Sequence, residues 1–580
     1  MKNVSIRIAG ANGDGVESSG ALIMKVASKS GLHVFGYRGY QSIIRGGHVW
    51  YQVRLGDEKL YSHGKDIDIL IALNQESIKY QKSHLGKNAI VIYDPSKVNT
   101  DEIEGKGFRL VKIPLLDIAI KVSGDPIMRN VAAIGATLKF VGIDLEVFKG
   151  VVKDMWLRKG EKVVKDNIDI ATTAYNYEGV STVFGINGDG KQRYTMDGNT
   201  AFSIGTFAGG CKFYSAYPMT PASGILHWYA AHQNKGVLFK QTEDELAAMN
   251  MAVGASVGGV RAMCGTSGGG FSLMVEGLGF AGMVEAPVVV VDSQRTGPST
   301  GLPTKTEQAD LLFVMHASQG EFPRIVVAPR SVEECLAIGA EVFNLAERYQ
   351  CPVLVLLDLY LSERIESIDG FNVDPVTIDR GKLVTSNTTG ERFKRYEITE
   401  DGISPRGIPG NPGTEFIAPS DEHNEYGDLI SDSLSGIDEY VELRRQMHAK
   451  RMRKIETMLK NEKIFVPEIS DPSAEYFLVT FGSTTEPVEE AAKILSERGM
   501  KVGVISFNYI MPMDSDKTRS MLQGKKLIDV ECNYTAQLAQ VIKTNTGIEI
   551  KNRILRYDGE AVTGDDLAES AEEVIKNFKG

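Results

Sequence analysis

The chain begins with the segment VSIRIAGANGDG (residues 4–15), an apolar alternating run that leads directly into a glycine-rich loop. A helix-like segment follows at about residues 18–30, and apolar strand-like runs follow at residues 67–72 and 89–93. Strands that alternate with helices in this way build a parallel sheet with helices on both faces. The opening segment therefore predicts a doubly wound α/β domain over residues 1–175.

The same alternation returns twice along the chain. Residues 176–199 are polar and glycine-rich, which predicts a linker. A second α/β domain is expected at residues 200–375, where unbroken apolar strands suit a sheet covered on both faces. A long irregular connection and a basic helix follow at residues 376–470, and a third α/β domain at residues 471–580. The fold class is therefore α/β, with three doubly wound domains.

Composition excludes several classes of protein. A net charge of -11 argues against nucleic acid as the main partner. The 5 cysteines form no CxxC pair, which argues against a zinc ribbon or a ferredoxin-type cluster in this chain and suits a reducing compartment. No apolar run approaches the ~20 residues of a membrane span, and the start of the chain lacks the core of a signal peptide. We expect a cytoplasmic protein without a membrane or nucleic-acid partner, and no metal site in this chain.

Two loops carry side chains suited to a small carboxylate. In YPMTPAS (residues 217–223), prolines bracket Thr220 and fix the turn that presents its hydroxyl. In QRTGPSTG (residues 294–301), Arg295 stands in a flexible glycine and proline loop. A hydroxyl and a guanidinium hold carboxylates by charge-assisted hydrogen bonds, so the pair indicates an enzyme that acts on a 2-oxoacid. Taken alone, the first loop is equally typical of a helix cap.

An acidic run precedes an apolar helix-like segment. Glu243, Asp244 and Glu245 stand where a helix begins, and the helix dipole favours negative charge there. A well-started helix explains the run by itself. A carboxylate turned into an apolar pocket would instead share a proton with a nitrogen base.

Two glycine loops of the first domain are candidates for a phosphate-bearing ligand. The first presents backbone N–H groups and a helix start through three glycines: Gly10, Gly13 and Gly15. Its spacing departs from GxGxxG, which argues against NAD, and a purely structural turn stays open. The second is cationic and flexible, with Arg45, Gly46 and Gly47.

Two further patterns have less specific interpretations. GTSGG (residues 265–269) matches the nucleophile elbow of a hydrolase, with Ser267 as nucleophile and His316 later in the chain. The spacing is cramped, and a serine hydrolase leaves Thr220 and Arg295 unexplained. The segment at residues 437–459 predicts one helix whose basic second half favours a solvated or partner-facing surface.

These motifs, in this order, resemble the alpha subunit of a 2-oxoacid:ferredoxin oxidoreductase in which a gamma domain is fused ahead of alpha. The matching segments are residues 217–223, 243–256, 265–270 and 294–304. Residues 395–396, 401–406, 409–410 and 421–427 look like the 2-oxoglutarate-type branch. The resemblance implies a Rossmann-like gamma domain, a pyrimidine-type thiamine diphosphate domain and a transketolase C-terminal-like domain.

The resemblance also implies a reaction. Thiamine diphosphate attacks the 2-oxo carbon, carbon dioxide leaves, coenzyme A takes the acyl group, and electrons pass through an iron-sulfur cluster to ferredoxin. The implied substrate is 2-oxoglutarate, with pyruvate or a broad range of 2-oxoacids as alternatives. By position, Thr220 and Arg295 bind the substrate carboxylate, Glu245 protonates the aminopyrimidine ring, and Pro218 contacts the cofactor. The glycine loops of the gamma-like domain assist coenzyme A.

A beta subunit is the partner that the resemblance implies. The GDG…N segment that binds the diphosphate and Mg²⁺ is missing, because Gly188-Asp189-Gly190 lies in the predicted linker. The diphosphate site, the metal and the cluster are therefore expected in the beta subunit, and this chain alone is expected to be inactive. Gly224 stands where the family often has an acidic residue, which leaves the identity of the substrate open.

Overall fold

The computed structural model describes residues 2–41, 46–370 and 376–578. The strands are β1 (Asn3–Ala11), β2 (His33–Gly39), β3 (His48–Gly56), β4 (Ile67–Ala72), β5 (Leu85–Tyr93), β6 (Arg109–Lys112), β7 (Tyr194–Asp197), β8 (Phe213–Ala216), β9 (Leu238–Gln241), β10 (Ala262–Thr266), β11 (Val289–Gln294), β12 (Ile325–Val327), β13 (Val353–Asp358), β14 (Ile365–Ile368), β15 (Glu468–Ile469), β16 (Tyr476–Phe481), β17 (Val502–Phe507), β18 (Tyr509–Met511), β19 (Lys526–Glu531) and β20 (Asn552–Leu555).

The helices are α1 (Val16–Lys29), α2 (Gln75–Gln81), α3 (Leu115–Ser123), α4 (Arg129–Val141), α5 (Leu145–Trp156), α6 (Glu161–Tyr175), α7 (Gly198–Ala208), α8 (Ser223–Ala231), α9 (Glu245–Val257), α10 (Gly268–Met283), α11 (Leu311–His316), α12 (Val332–Tyr349), α13 (Leu359–Glu363), α14 (Asp432–Ser435), α15 (Ile437–Asn461), α16 (Thr485–Glu497), α17 (Ser515–Leu522), α18 (Gln537–Thr546) and α19 (Gly564–Lys576). Within the described residues, no helix is both long enough and apolar enough to cross a bilayer.

The first compact unit contains the described residues of Met1–Asp197, Glu363–Asn372 and Val562–Leu567. Its eight-stranded sheet has the order β6-β5-β4-β1-β3-β2-β14-β7. Strands β1, β4, β5 and β6 are parallel, whereas β3 and β2 run antiparallel to their neighbours. The sequence predicted a parallel sheet, but β3, β2, β14 and β7 pair in antiparallel fashion. For β2 and β3 the reason is their connection, which is too short for a parallel crossover of about a dozen residues.

The second compact unit contains the described residues of Gly198–Ser362, Val373–Ala561 and Ala568–Gly580. It has a seven-stranded sheet of order β18-β12-β13-β11-β10-β8-β9 and a five-stranded sheet of order β15-β17-β16-β19-β20. All strands of the larger sheet are parallel except the edge strand β18. Strands β11 and β13 are buried along their whole length, as expected for a sheet covered on both faces. Three sheets with helical connections confirm the α/β class, while the domain boundaries drawn from the sequence stay predictions.

Helix α15 corrects one expectation. It forms where the sequence predicted it, but part of its basic half is not solvated. Lys450 and Lys454 are completely buried, and both ammonium groups contact the carboxylate of Glu285 at 2.6 and 2.5 Å. These two lysines therefore attach the helix to its own unit.

Candidate active site

Four neighbouring parallel strands end at the same edge of the seven-stranded sheet, and each leads into a segment singled out from the sequence. Strand β8 leads into residues 217–223, β9 into the start of α9, β10 into the start of α10, and β11 into the Arg295 loop. The carboxyl edge of a parallel sheet is where α/β proteins place their ligands. The order of the strands therefore brings the candidate residues to one edge of the sheet.

Thr220 and Arg295 are in direct contact. The Arg295 guanidinium donates through Nη1 to the backbone carbonyl of Thr220 at 2.8 Å, and both residues are half-buried. The Thr220 hydroxyl makes no hydrogen bond to another described residue. Pro218 stands exposed at the beginning of the same turn. The two side chains that sequence reasoning paired thus lie at one site, with the hydroxyl still available to a ligand.

The charge of Arg295 has no counterion within the described part of the chain. Its one hydrogen-bond partner there is the neutral Thr220 carbonyl, and burial lowers the pKa of the guanidinium. A partly desolvated cation without a carboxylate partner is stabilised by an anionic ligand. The site therefore suits a small carboxylate.

Glu245 is the buried member of the acidic run. It is the first residue of α9, and Asp244 caps the helix by accepting from the Ala247 N–H at 2.8 Å. Glu243 is exposed, whereas Glu245 is 3% exposed and its Oε1 has no hydrogen-bond partner in the described residues. Buried polar atoms are nearly always paired, so an unpaired carboxylate oxygen at a ligand-binding edge indicates a missing ligand donor.

Glycine is required beside that carboxylate. A Cβ placed on Gly270 would collide with the Glu245 carboxylate and with the hydroxyl of Thr266. The Thr266 hydroxyl in turn lies 3.7 Å from the sulfur of Met219, the residue before Thr220. Thr266 therefore links the surroundings of Glu245 to the turn that carries Thr220. Sequence reasoning quoted Thr266 within a motif but gave it no role, because its contacts come from separate segments.

The serine-hydrolase alternative is not supported. Ser267 is fully buried and its Oγ has no hydrogen-bond partner among the described residues. His316 is exposed at the end of α11 and makes no hydrogen bond to Ser267. A nucleophilic serine needs a base within hydrogen-bonding reach, so this motif is the N-terminal turn of α10 and no catalytic triad.

Two further carboxyl groups lie near the first turn of α10. Asp310 packs its carboxylate against Gly268, and burial together with the charge of Glu307 raises the pKa of Asp310 to about 6. Asp292 has no partner for either oxygen in the described residues; burial and the neighbouring Asp310 raise the pKa of Asp292 well above its ordinary value. The pair therefore holds a proton that isolated aspartates would release.

The first unit contains a separate cleft of about 780 Å³. Gly13 and Gly15 line it at the start of α1, both with positive φ, and its walls include Arg38, Trp50 and Tyr51. Gly15 caps α1 in the left-handed conformation, so the first N–H groups of the helix have no side-chain cap. The other predicted glycines, Gly10, Gly46 and Gly47, are outside the lining, and Arg45 lies outside the described residues.

Three family models match successive parts of the chain. Residues 204–442 match the thiamine diphosphate-binding model of pyruvate flavodoxin/ferredoxin oxidoreductases. Residues 5–177 match the pyruvate ferredoxin/flavodoxin oxidoreductase model, and residues 474–567 match core domain II of pyruvate:ferredoxin oxidoreductase.

Similar proteins span nearly the whole chain. The 2-oxoacid:ferredoxin oxidoreductase subunit alpha of a Sulfolobus species is 33% identical over 98% of this chain and 96% of its own length. The 2-oxoglutarate oxidoreductase subunit KorA of Mycobacterium tuberculosis is 30% identical over 98% of this chain and 91% of its own. A solved 2-oxoglutarate:ferredoxin oxidoreductase from Magnetococcus marinus, with 2-oxoglutarate, coenzyme A and succinyl-CoA bound, superposes with a TM-score of 0.91 at 33% identity and covers 99% of this chain and 100% of that one.

Proposed function

The chain belongs to the family of 2-oxoacid:ferredoxin oxidoreductase alpha subunits, and from this premise we propose how its own residues take part in the reaction. The enzyme is thiamine diphosphate-dependent and converts a 2-oxoacid and coenzyme A into an acyl-CoA and carbon dioxide, with reduction of ferredoxin. The observation that carries the assignment is the arrangement of Thr220, Arg295 and Glu245 at one edge of a parallel sheet.

Thr220 and Arg295 bind the carboxylate of the 2-oxoacid. Arg295 uses Nη1 on the Thr220 carbonyl, which leaves its other N–H groups to the substrate. The Thr220 hydroxyl supplies a second donor beside them. A charged and a neutral donor held together orient the carboxylate that is lost as carbon dioxide.

Glu245 serves the aminopyrimidine side of thiamine diphosphate. Its buried Oε1, without a hydrogen-bond partner in the described residues, suits a ring with a protonatable nitrogen, and the missing Cβ of Gly270 leaves room for the carboxylate itself. When bound, thiamine diphosphate supplies the carbon nucleophile that decarboxylation of a 2-oxoacid requires. Glu245 holds a proton against the ring nitrogen from a water-poor position, where such a hydrogen bond is strong.

The substrate we propose is 2-oxoglutarate. The names of the Mycobacterium tuberculosis relative and of the Magnetococcus marinus enzyme both specify that 2-oxoacid, whereas the Sulfolobus relative is named for 2-oxoacids in general. A broader range that includes pyruvate is the alternative, and competition between substrates decides between them.

Coenzyme A is assigned to the cleft of the first unit. The uncapped N–H groups at the start of α1 suit a phosphate, and Trp50 offers an aromatic wall. Arg38 lies at the same cleft, where it pairs with Glu17 and Glu363. The volume of about 780 Å³ is in the range of small-molecule and cofactor sites.

A beta subunit covers the exposed faces of α9 and α10. Leu246 and Met251 on α9 are 45% and 38% exposed, and Leu273 on α10 is 47% exposed. These apolar side chains lie on the two helices whose first turns form the site. A partner seated there would bury them and would bring the diphosphate site, Mg²⁺ and an iron-sulfur cluster next to Glu245.

The test is reconstitution. The chain is purified alone and together with its co-expressed beta subunit, and reduction of ferredoxin or a viologen dye is followed with 2-oxoglutarate, pyruvate and branched 2-oxoacids in the presence of coenzyme A. We expect activity only from the complex, with the highest kcat/KM for 2-oxoglutarate. Activity of the isolated chain would contradict the division of labour, and a higher kcat/KM for pyruvate would contradict the substrate.

A further inference from the structure

The turn that carries Thr220 is held from two sides. Arg295 donates a hydrogen bond to the backbone carbonyl of Thr220. The side chain of Asn199 donates from Nδ2 to the next carbonyl, that of Pro221, at 2.9 Å. Asn199 is 3% exposed, so this hydrogen bond is shielded from water. Two successive carbonyls of the turn are thus fixed by side chains from two different elements.

Asn199 lies on a helix whose position is fixed by close backbone packing. It is the second residue of α7, and its neighbour Gly198 lies so close to the carbonyl of Leu361 that a Cβ would collide with that oxygen. Farther along α7, a Cβ on Gly205 would likewise collide with the carbonyl oxygen of Leu336 in α12. Close backbone packing on one side of α7 therefore fixes where the amide of Asn199 points on the other.

The Asn199 amide occupies the space that a side chain at position 224 would need. A Cβ at position 224 would lie 2.5 Å from Asn199 Nδ2 and 2.9 Å from Asn199 Cβ. Gly224 is the second residue of α8 and is not among the residues with positive φ, so space and not backbone conformation requires glycine there. A larger residue would push the amide away from Pro221.

We propose that Asn199 and Gly224 are a pair of positioning residues that set how the Thr220 turn meets the substrate carboxylate. The proposal rests on the assignment of Thr220 and Arg295 to substrate binding. Loss of the Asn199 hydrogen bond leaves Pro221 O unpaired and frees the turn on the side opposite Arg295. The Thr220 hydroxyl and the guanidinium then lose their mutual alignment, which weakens binding of the 2-oxoacid and leaves coenzyme A unaffected.

The experiment compares Asn199→Asp and Asn199→Ala with the wild type in the complex with the beta subunit. Asn199→Asp preserves shape but removes the donor. We expect KM for the 2-oxoacid to rise about 10- to 100-fold in both variants, because small misplacements of binding groups have effects of this size. KM for coenzyme A should stay unchanged. Asn545→Ala is the matched control, since it removes an amide that donates to Val541 O at 2.9 Å far along the chain, in α18.

Gly224→Ala provides an independent arm. In the wild-type background it should raise KM for the 2-oxoacid as Asn199→Ala does, whereas in the Asn199→Ala background it should add little, because residues in contact are not additive. Additive effects, or an unchanged KM in Asn199→Asp, would overturn the pairing. Equal rises in KM for both substrates, with a melting temperature lowered in proportion, would show a purely structural role and overturn it as well. An inactive wild-type complex would instead refute the assigned function on which the pair rests.

Discussion

Glu245 and Glu285 are both buried carboxylates of the second unit, 3% and 1% exposed, and their surroundings are opposite. Glu245 has an oxygen that receives no hydrogen bond from the residues the structure describes, and it lies beside the Thr266 hydroxyl and Gly270. Glu285 forms ion pairs with the ammonium groups of Lys450 and Lys454. Glu285 is thus neutralised by the charges that fix helix α15, whereas Glu245 keeps an oxygen that a ligand can occupy.

The protonation of the second cluster follows from the same contacts. Burial by itself raises the pKa of Glu285, but the positive charges of Lys450, Lys454 and Arg395 outweigh burial and lower it well below the ordinary value. Burial lowers the pKa of Lys450 to about 7. Two buried ammonium groups thus depend on a single carboxylate to balance their charge. Removing that carboxylate should strongly lower the stability of the folded protein.

The largest effect is expected from Glu245→Gln, which keeps the shape of the side chain but removes its proton-transfer capacity. Catalysis by a positioned acid or base is worth up to about 10⁴-fold, or about 5 kcal/mol. We expect kcat/KM of the complex to fall to that extent while the melting temperature stays equal or rises, because an unpaired buried carboxylate is removed. Activity close to that of the wild type would contradict the role of Glu245.

Glu285→Gln should invert that pattern. Two buried ammonium groups then face a neutral amide, and breaking a buried ion pair on one side costs about 3–5 kcal/mol. The melting temperature should fall strongly, while the folded fraction keeps its specific activity. Adding Lys454→Met should recover part of the stability by removing one of the two charges. An unchanged melting temperature in the single variant would show that the cluster does not stabilise the fold.

Arg295→Ala tests the same contrast with a cation in place of a carboxylate. Its charge, unlike those of Lys450 and Lys454, has no carboxylate partner in the described residues, so little stability should be lost. The lost contact with the substrate carboxylate should lower kcat/KM for the 2-oxoacid by about 2 to 4 kcal/mol. Steady-state kinetics on the complex, with the melting temperature as control, measure both. Unchanged kinetics would remove Arg295 from the site.

Asp310→Asn has the smallest expected effect and depends on pH. The folded-state pKa of Asp310 is raised from 3.8 to about 6, so between these values the folded protein holds a proton that the unfolded chain has lost. Stability therefore falls as the pH rises through this window and stays low above it. Asparagine cannot ionise, so the variant should gain up to about 3 kcal/mol at pH 8 and almost nothing at pH 4. Calorimetry at the two values checks this, and a gain independent of pH would contradict it.

The parts of the site that sequence predicts are those encoded by local residue type. An acidic run before an apolar segment placed the start of α9. Thr220 and Arg295 were paired because a hydroxyl and a guanidinium both suit a carboxylate, and the structure brings them into contact. Asn199 was missed because it closes the polar stretch that predicted a linker, and its partner is a backbone carbonyl 22 positions away. Lys450 and Lys454 were expected at a surface because nothing local reveals that Glu285, 165 positions away from Lys450, completes their cluster.

One residue that carries the resemblance to the 2-oxoglutarate-type branch is buried away from the site. Arg395, one of the residues that carries it, is 2% exposed and donates to Gln350 Oε1 and to the backbone carbonyl of Glu285. It belongs to the buried cluster that fastens the irregular connection and makes no visible contribution to the Thr220 turn. At this position the motif therefore stabilises the packing of the second unit.

The contact between Gly224 and Asn199 also constrains the order in which the sequence can change. An acidic residue at position 224 does not fit while the Asn199 amide fills that space. Replacing Asn199 first opens the position but gives up the hydrogen bond to Pro221. The effect of a substitution at position 224 therefore depends on which residue stands at position 199.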